Sequence, residues 1–464
     1  MRRIITVLLI LTLLLCLFVS CRTEPDPLHP AATAQAESGA HTETGKETKT
    51  AEEASLYTVP EEDLAAFIGT SGKTAIRARA GDLIACGDTV YKTYNGIVSG
   101  PGHVTKNALK YSVSTGEVTT ICADPLCDHK NGSGCPFGEE VVLLDVKDDV
   151  VYYTSEYYWT IEDRKNKVDD DNRRAVYAYD LKEMKQTFLF EVYDGGLLTL
   201  VNGCIYYGCL VIDEDFNHHM YIGRYDLPSG KNDLLFNFDT YYADEYGKVH
   251  IYTDDVVRHV PLLVDEYERV YFYEFSLGLY QDLYIADLKD EEPAMKLLAR
   301  KYWSTVYYRD GEMIAAIANG EYSEEDGVPY YPPCTITAFD SATGQARSLI
   351  ENANGPFVLA GDCIYYTPYE NYERTSPTII RYNIETGESV SLEIPIEEPA
   401  NLIIGCYGVY ANGKLIVYAT YKDSPGQDDG SVEDYIAIDL RTGEWSYTGL
   451  EHSVLEIAPV IDAG

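Results

Sequence analysis

Three cysteines and one histidine lie within fourteen residues in the first third of the chain. They are Cys122, Cys127, His129 and Cys135, spaced C-x4-C-x-H-x5-C. Three thiolates and one imidazole are an ordinary ligand set for tetrahedral structural zinc. The Asp124-Pro125 pair and the Asn-Gly-Ser-Gly run at 131–134 supply the sharp turns that four convergent ligands need. We therefore predict a closed structural zinc site that staples this loop.

The same residues allow two other arrangements. A disulfide could close the loop and leave one thiol over, or all three thiols could stay reduced in an anoxic habitat. Outside the N-terminal segment and Cys21, nine cysteines remain, and an odd number does not suit a framework built only from disulfides. Cys204 and Cys363 lie inside apolar strand-like runs, where a thiol acts as a small buried hydrophobe.

Aromatic residues crowd the predicted loops and form a second candidate site for ligand binding. They are Tyr157, Tyr158, Trp159, Tyr241, Tyr242, Tyr330, Tyr331, Tyr369 and Tyr372. Tyr and Trp offer rigid contact area with a polar handle, as binding surfaces require. Any one of them could instead pack its loop onto the scaffold. The sequence contains no nucleophile elbow, metalloprotease motif or phosphate loop, and we assign no catalytic residue.

The elements that must position these residues come from a pattern that recurs seven times. Each copy has a turn, an apolar Tyr-rich run, and a second run that ends in Asp-x-x-Thr-Gly or a degenerate version. The clearest endings are at 340–344, 383–387 and 439–443. A repeat of roughly 40–50 residues made of strand-like runs is typical of propeller blades. We predict an all-β fold, a β-propeller of seven (alternatively eight) four-stranded blades.

The recurring Asp is predicted to form turns. Its carboxylate can accept hydrogen bonds from turn amides while the Gly adopts the left-handed conformation. Asn-Gly and Asp-Gly pairs, such as Asn202-Gly203, predict tight hairpins in the first half of each copy. Both kinds of tight turn lie at one end of each sheet, so the long connections lie at the other end. We name that other end the long-loop face and expect function to reside there.

The first 21 residues are predicted to be a lipoprotein signal peptide. Two arginines precede an apolar stretch that ends at Val19, and Ser20-Cys21 resembles the end of a bacterial lipobox. Cys21 would carry the N-terminal lipid that anchors the chain to the outside of the cell membrane. A retained anchor helix is the alternative, but the apolar run of about 16 residues is short of the roughly 20 that span a bilayer.

Composition divides the rest of the chain into two parts. Residues 22–56 hold Ala, Thr, Glu and Pro without a single aromatic residue, which predicts a disordered linker, and residues 57–464 form the propeller domain. The net charge is −39, from 36 basic and 75 acidic residues. Because a nucleic-acid partner requires a basic face, we exclude nucleic acid as a ligand.

The repeat resembles those of the TolB-like and quinoprotein-like propellers, in which Ala-x-Asp-x-x-Thr-Gly closes each blade. The copies that begin at Ala338 and Ala437 match it. Quinoproteins carry a further docking Trp that this chain does not repeat, so no PQQ is expected, and no fingerprint predicts NAD or flavin. With its lipobox, linker and cysteine segment, the chain also resembles Clostridia-type lipoproteins whose propellers are related to the DUF5050 type. That group brings no established activity.

These patterns predict a lipid-anchored, extracytoplasmic propeller that acts as a non-enzymatic binding or scaffold module. Its partner would be a protein or a glycan held on the long-loop face. One alternative is a carbohydrate-active hydrolase or lyase with loop carboxylates over the central channel. Another is an envelope-assembly or sensory lipoprotein, and fold analogy alone does not choose among them.

Overall fold

The computed structural model describes fourteen segments of the chain, all of them strands, turns and short connections. They are 76–77, 83–93, 108–124, 126–127, 135–137, 141–156, 173–193, 196–242, 258–275, 280–325, 328–369, 378–394, 402–422 and 431–450. The predicted signal peptide, Cys21 and linker lie outside these residues. The described part of the chain offers no helical segment with the length and apolar character to span a bilayer.

Four antiparallel sheets stand apart, each with four strands in chain order. After the short β1 (Ile76–Arg77), the first two comprise β2 (Leu83–Cys86), β3 (Thr89–Thr93), β4 (Ala108–Ser112), β5 (Val118–Thr120), β6 (Val141–Lys147), β7 (Val150–Glu156), β8 (Arg173–Asp180) and β9 (Lys185–Tyr193). The third comprises β10 (Leu197–Val201), β11 (Cys204–Ile212), β12 (His218–Asp226) and β13 (Lys231–Tyr241).

An eleven-stranded sheet follows in the chain, with β1 paired to its fourth strand. Its other strands are β14 (Arg258–Val264), β15 (Arg269–Phe275), β16 (Gln281–Asp287), β17 (Lys296–Arg309), β18 (Glu312–Ala318), β21 (Cys334–Asp340), β22 (Ala346–Ala360), β23 (Cys363–Pro368), β24 (Thr378–Asn383) and β25 (Ser389–Glu393). A separate hairpin of β19 (Ser323–Glu325) and β20 (Val328–Tyr330) lies between β18 and β21. The last separate sheet comprises β26 (Leu402–Ala411), β27 (Lys414–Lys422), β28 (Ser431–Asp439) and β29 (Trp445–Tyr447).

Two long strands explain why one sheet has eleven strands. The first part of β17 pairs with β16 and its second part with β18, and the register shifts between Tyr302 and Val306. The same happens in β22, where the shift lies between Ala353 and Phe357. Each long strand is thus the last strand of one unit and the first strand of the next. With the two halves counted separately, the described strands form seven four-stranded units.

The apolar core lies between consecutive units. Each hydrophobic cluster combines side chains from two neighbouring units, as Tyr206 and Phe272 do between the third and the fourth. One cluster joins Tyr111 of the first unit to Ile416 of the seventh, so the row of units closes on itself. The predicted all-β propeller is confirmed. The number of blades, seven or eight, stays a prediction. The described strands form seven units.

The predicted turns are present with the expected chemistry. Asp340 Oδ1 accepts hydrogen bonds from the amides of Ala342 (3.1 Å) and Thr343 (2.7 Å), and Gly344 has a φ of 72°. Asn202 and Gly203 have φ values of 52° and 74°, as a type I′ hairpin turn requires. One of the long connections that the repeat predicts covers residues 319–333, and β19 and β20 form a hairpin within it. An Asp-Gly pair at 326–327, a hairpin signal, joins these two strands.

Candidate metal centre and aromatic cluster

Three of the four predicted metal ligands converge. The Sγ atoms of Cys122, Cys127 and Cys135 lie within 4.8 Å of one another, and all three are free thiols. With Zn–S bonds of about 2.3 Å, the sulfurs of a tetrahedral site are about 3.8 Å apart. Only a small contraction separates this geometry from a zinc site, so the three thiols can hold a metal ion. His129 lies outside the described residues, and its role as fourth ligand stays a prediction.

A local turn brings the second thiol back towards the first. The carboxylate of Asp124 accepts a hydrogen bond from the amide of Leu126 (2.9 Å), and its carbonyl accepts one from the amide of Cys127 (3.1 Å). The segment runs from the last strand of the first unit to the first strand of the second. It therefore lies on the long-loop face.

An aromatic floor supports the thiols from the second unit. The ring of Phe137 packs against Tyr153 (centroids 4.9 Å apart) and against Tyr179 (5.0 Å). The hydroxyl of Tyr153 donates to the carbonyl of Pro136 (3.2 Å) and accepts a hydrogen bond from Gln186 (2.7 Å). These contacts hold the chain immediately after Cys135 against the sheet. No local sequence signal indicates this floor, because Tyr153, Tyr179 and Gln186 lie on strands β7, β8 and β9 of the next unit.

Burial governs the protonation of this centre. It is the main cause that raises the pKa of Cys122 and of Cys135 above the ordinary thiol value. Burial and the two nearby thiols of Cys122 and Cys135 raise the pKa of Tyr179 to about 12. The thiols of Cys122 and Cys135 therefore carry their protons in the absence of a metal, and a metal that binds them must displace these protons.

The predicted aromatic residues have different environments. Tyr157, Tyr158, Trp159 and Tyr372 lie outside the described residues. Tyr241 is buried and donates a hydrogen bond to Asp239 (3.0 Å), whereas the next residue, Tyr242, is 75% exposed. Tyr330 ends strand β20. Tyr331 and Tyr369 come together, since the Tyr369 hydroxyl donates to the Tyr331 carbonyl at 2.9 Å.

Tyr331 belongs to a larger group that we name the Trp303 cluster: Tyr280, Trp303, Tyr322 and Tyr331. The ring centroid of Trp303 is 5.2 Å from that of Tyr280 and 5.1 Å from that of Tyr331, and Tyr331 is 5.3 Å from Tyr322. All four side chains are partly exposed. Tyr322 lies within the predicted loop 319–333 and could have been found there. Tyr280 and Trp303 carry no such signal.

One glycine allows the chain to come close to this cluster, and a second allows a close approach to the residue that follows Tyr331. Gly355 has a φ of 101°, and a Cβ at this position would lie 3.3 Å from the indole Cδ1 of Trp303. At Gly320 a Cβ would lie 3.1 Å from Pro332. Two residues before Trp303 in the chain, the ammonium of Lys301 contacts Glu321 and donates to the carbonyl of Gly320 (3.4 Å). The indole of Trp303 therefore packs closely on the backbone at Gly355, and a charged pair adjoins the cluster along the chain.

A histidine and a carboxylate form a third feature of the long-loop face. Asp239 Oδ1 accepts a hydrogen bond from Nδ1 of His259 (2.8 Å), and Oδ2 accepts one from the backbone amide of the same histidine (2.8 Å). The ring of Tyr284 stands edge-on to the imidazole at 5.1 Å, and the Tyr284 hydroxyl donates a hydrogen bond to the carboxylate of Glu274 (2.7 Å).

Comparisons with solved structures return propeller-containing proteins at low similarity. The chain is similar to a puromycin hydrolase (14% identity, TM-score 0.46), with 85% of this chain and 56% of that chain covered. It is also similar to the β-propeller domain of the trilobed protease from Pyrococcus furiosus (14%, TM-score 0.40, 66% and 84% covered). A third similar structure is the polysaccharide lyase Uly1 (11%, TM-score 0.38, 78% and 90% covered).

These likenesses have a limited meaning. This chain spans little more than half of the hydrolase, and every TM-score is below 0.5. No argument about activity therefore rests on them. No protein-family model and no curated protein matches the sequence.

Proposed function

We propose that this chain is a binding or scaffold propeller, anchored outside the cell membrane through Cys21, that holds a protein or glycan partner on its long-loop face. The observation that carries this proposal is the Trp303 cluster. Four partly exposed aromatic side chains from separate segments meet there. Ordering such rings in advance lowers the entropic cost of binding.

The metal centre supports the same face. We propose that Cys122, Cys127, Cys135 and His129 hold one zinc ion. A zinc ion with four protein ligands supplies structural cross-linking and leaves no position for substrate. It would link a long connection to the aromatic floor formed by Tyr153 and Tyr179.

Variants at the two ends of the propeller test the face assignment. The full chain, the double variant Trp303→Ala/Tyr331→Ala and the exposed-site variant Tyr242→Ala would be compared on an array of glycans and purified extracellular proteins. Tyr267→Ala is the matched control, because Tyr267 is an exposed aromatic residue (47%) in a turn at the opposite end. We expect the double variant to lose binding, whether or not Tyr242→Ala also loses it. Unchanged binding by the double variant and by Tyr242→Ala would refute the proposal.

A carbohydrate-active hydrolase is the second candidate, and the Asp239–His259 pair favours it. A carboxylate that orients the imidazole through Nδ1 leaves Nε2 ready to accept a proton from water, as a general base does. The test is release of reducing ends from galactomannan and β-glucan. Activity that is lost in His259→Gln but kept in His219→Gln would support hydrolysis. The control is matched because both ring nitrogens of His219 are engaged, with Asp213 and Thr240.

A further inference from the structure

We infer that the ligand of the Trp303 cluster is a neutral glycan. This inference rests on the proposed binding function and adds the chemical class of the ligand. Three observations lead to it: the arrangement of the rings, the polar groups beside them, and the charge of the chain.

The rings of the cluster are tilted with respect to one another. The interplanar angles are 46° between Tyr280 and Trp303, 90° between Trp303 and Tyr331, and 54° between Tyr322 and Tyr331. Such an arrangement presents ring faces in several directions. An aromatic face carries negative charge density and attracts the weakly positive C–H groups on the flat side of a sugar ring.

Groups that bond to hydroxyls lie close to the ring residues along the chain. The ammonium of Lys301 and the carboxylate of Glu321 meet two residues from Trp303 and one residue from Tyr322. Between strands β17 and β16, the guanidinium of Arg300, 74% exposed, contacts Asp282 at 3.3 Å. A sugar hydroxyl both donates and accepts, so it can join such mixed pairs without leaving a polar group unpaired.

The charge of the chain selects among glycans. With 75 acidic against 36 basic residues, the protein repels uronate, sulfate and phosphate polymers. A neutral glycan does not experience this repulsion. Its binding should therefore depend only weakly on salt concentration.

A protein partner fits this location less well. Protein interfaces have a desolvated apolar core that large side chains dominate. The exposed large aliphatic side chains of the described residues lie elsewhere, as Leu234 and Leu297 do on the outer strands β13 and β17 and Leu126 does in the cysteine segment. Tyr280 and Trp303 themselves pack on the apolar core, and the charged pair of Lys301 and Glu321 adjoins Trp303 and Tyr322 along the chain.

Native affinity gels test this inference with the full chain. Galactomannan, xyloglucan and β-glucan serve as neutral probes and polygalacturonate as the anionic probe. We expect retardation by at least one neutral polymer, little change with added salt, and none by polygalacturonate. Trp303→Ala should weaken that retardation about tenfold, as the loss of a central aromatic contact does. Tyr267→Ala should leave it unchanged.

Three results overturn the inference, and they also separate it from the proposed function. Retardation by polygalacturonate alone, or by none of the four polymers, contradicts a neutral glycan as the ligand. A protein partner on the same face would then still be tested by the array of purified extracellular proteins. Neutral-glycan binding that survives Trp303→Ala and Tyr331→Ala in folded protein contradicts the location. If that binding disappears in Tyr267→Ala, the opposite end binds and the proposed function is wrong as well.

Discussion

The hydroxyl of Tyr369 donates a hydrogen bond to the backbone carbonyl of Tyr331 at 2.9 Å. These residues lie 38 positions apart, in long connections of two consecutive units. The bond holds the backbone at Tyr331, whose ring stands perpendicular to the indole of Trp303. One phenol hydroxyl thus connects Tyr369 to a cluster of which the sequence analysis had named only Tyr331.

Tyr369→Phe should loosen this connection without removal of the ring. We expect the free energy of unfolding to fall by about 1 kcal/mol, the net value of one hydrogen bond. Ligand affinity at the Trp303 cluster should fall several-fold. Urea denaturation and the affinity gels measure the two effects. Tyr267→Phe, at the opposite end, is the control, and equal affinities in both variants would contradict a role for Tyr369 in positioning Tyr331.

The full chain should contain one zinc ion when it is purified under anaerobic conditions. Cys122→Ser/Cys135→Ser should abolish the metal, because it removes two of four ligands. Cys86→Ser is the matched control, since Cys86 packs near the same core but is not one of the three convergent thiols. Elemental analysis by mass spectrometry gives the metal content. His129→Ala with full zinc content would remove His129 from the ligand set.

Tyr179→Phe should weaken metal binding about tenfold, as the loss of a polar group next to metal ligands generally does. It removes the hydroxyl that interacts with the thiols of Cys122 and Cys135 and keeps the ring that packs on Phe137. Competition with a zinc chelator measures the affinity. Tyr152 lies on the neighbouring strand β7 and packs in a different core cluster. Tyr152→Phe should therefore bind metal like the unchanged protein. Identical affinity in both variants would show that Tyr179 only fills space.

Asp265→Asn should flatten the dependence of stability on pH in the acid range. Asp265 is fully buried, and this burial raises its pKa despite hydrogen bonds from the amides of Tyr267 and Arg269 and the hydroxyl of Tyr271. The folded protein therefore holds this proton to higher pH than the unfolded chain does. The contribution to stability is fully present below the unfolded pKa, about 3.9, and is lost as pH rises through the folded pKa.

Denaturant unfolding between pH 3 and pH 7 measures this effect, and Asp213→Asn is the control of opposite sign. The hydrogen bond from His219 holds the pKa of Asp213 well below its usual range. The stabilisation from Asp213 is therefore present above the unfolded pKa and lost as pH falls. If Asp265→Asn retained the full pH slope of the unchanged protein, the buried carboxylate would not be its source.

Local sequence signals were sufficient for the turns and for the scaffold. The carboxylate of Asp340 and the left-handed Gly344 are where the Asp-x-x-Thr-Gly pattern predicts them, since a turn depends on adjacent residues. The convergence of Cys122, Cys127 and Cys135 was also predictable, because fourteen residues and two turns limit where the thiols can go.

The Trp303 cluster could not be predicted in the same way. Trp303 lies where strand β17 changes partners, and the register shift between Tyr302 and Val306 decides which way each side chain points. The close approach of Gly355 to the indole depends on a second such shift, in β22. Both shifts lie where one unit meets the next. The alternation of residue types along a single strand does not predict such shifts.

The most direct test of the account is whether the ligand reaches Trp303. The chain has three tryptophans, so Trp159→Phe/Trp445→Phe leaves Trp303 as the only indole. We predict that titration of this variant with the neutral polysaccharide that retards it will change the tryptophan fluorescence and saturate at the affinity found in the gels. Fluorescence that stays constant while the polysaccharide binds would place the ligand elsewhere and contradict the proposed site.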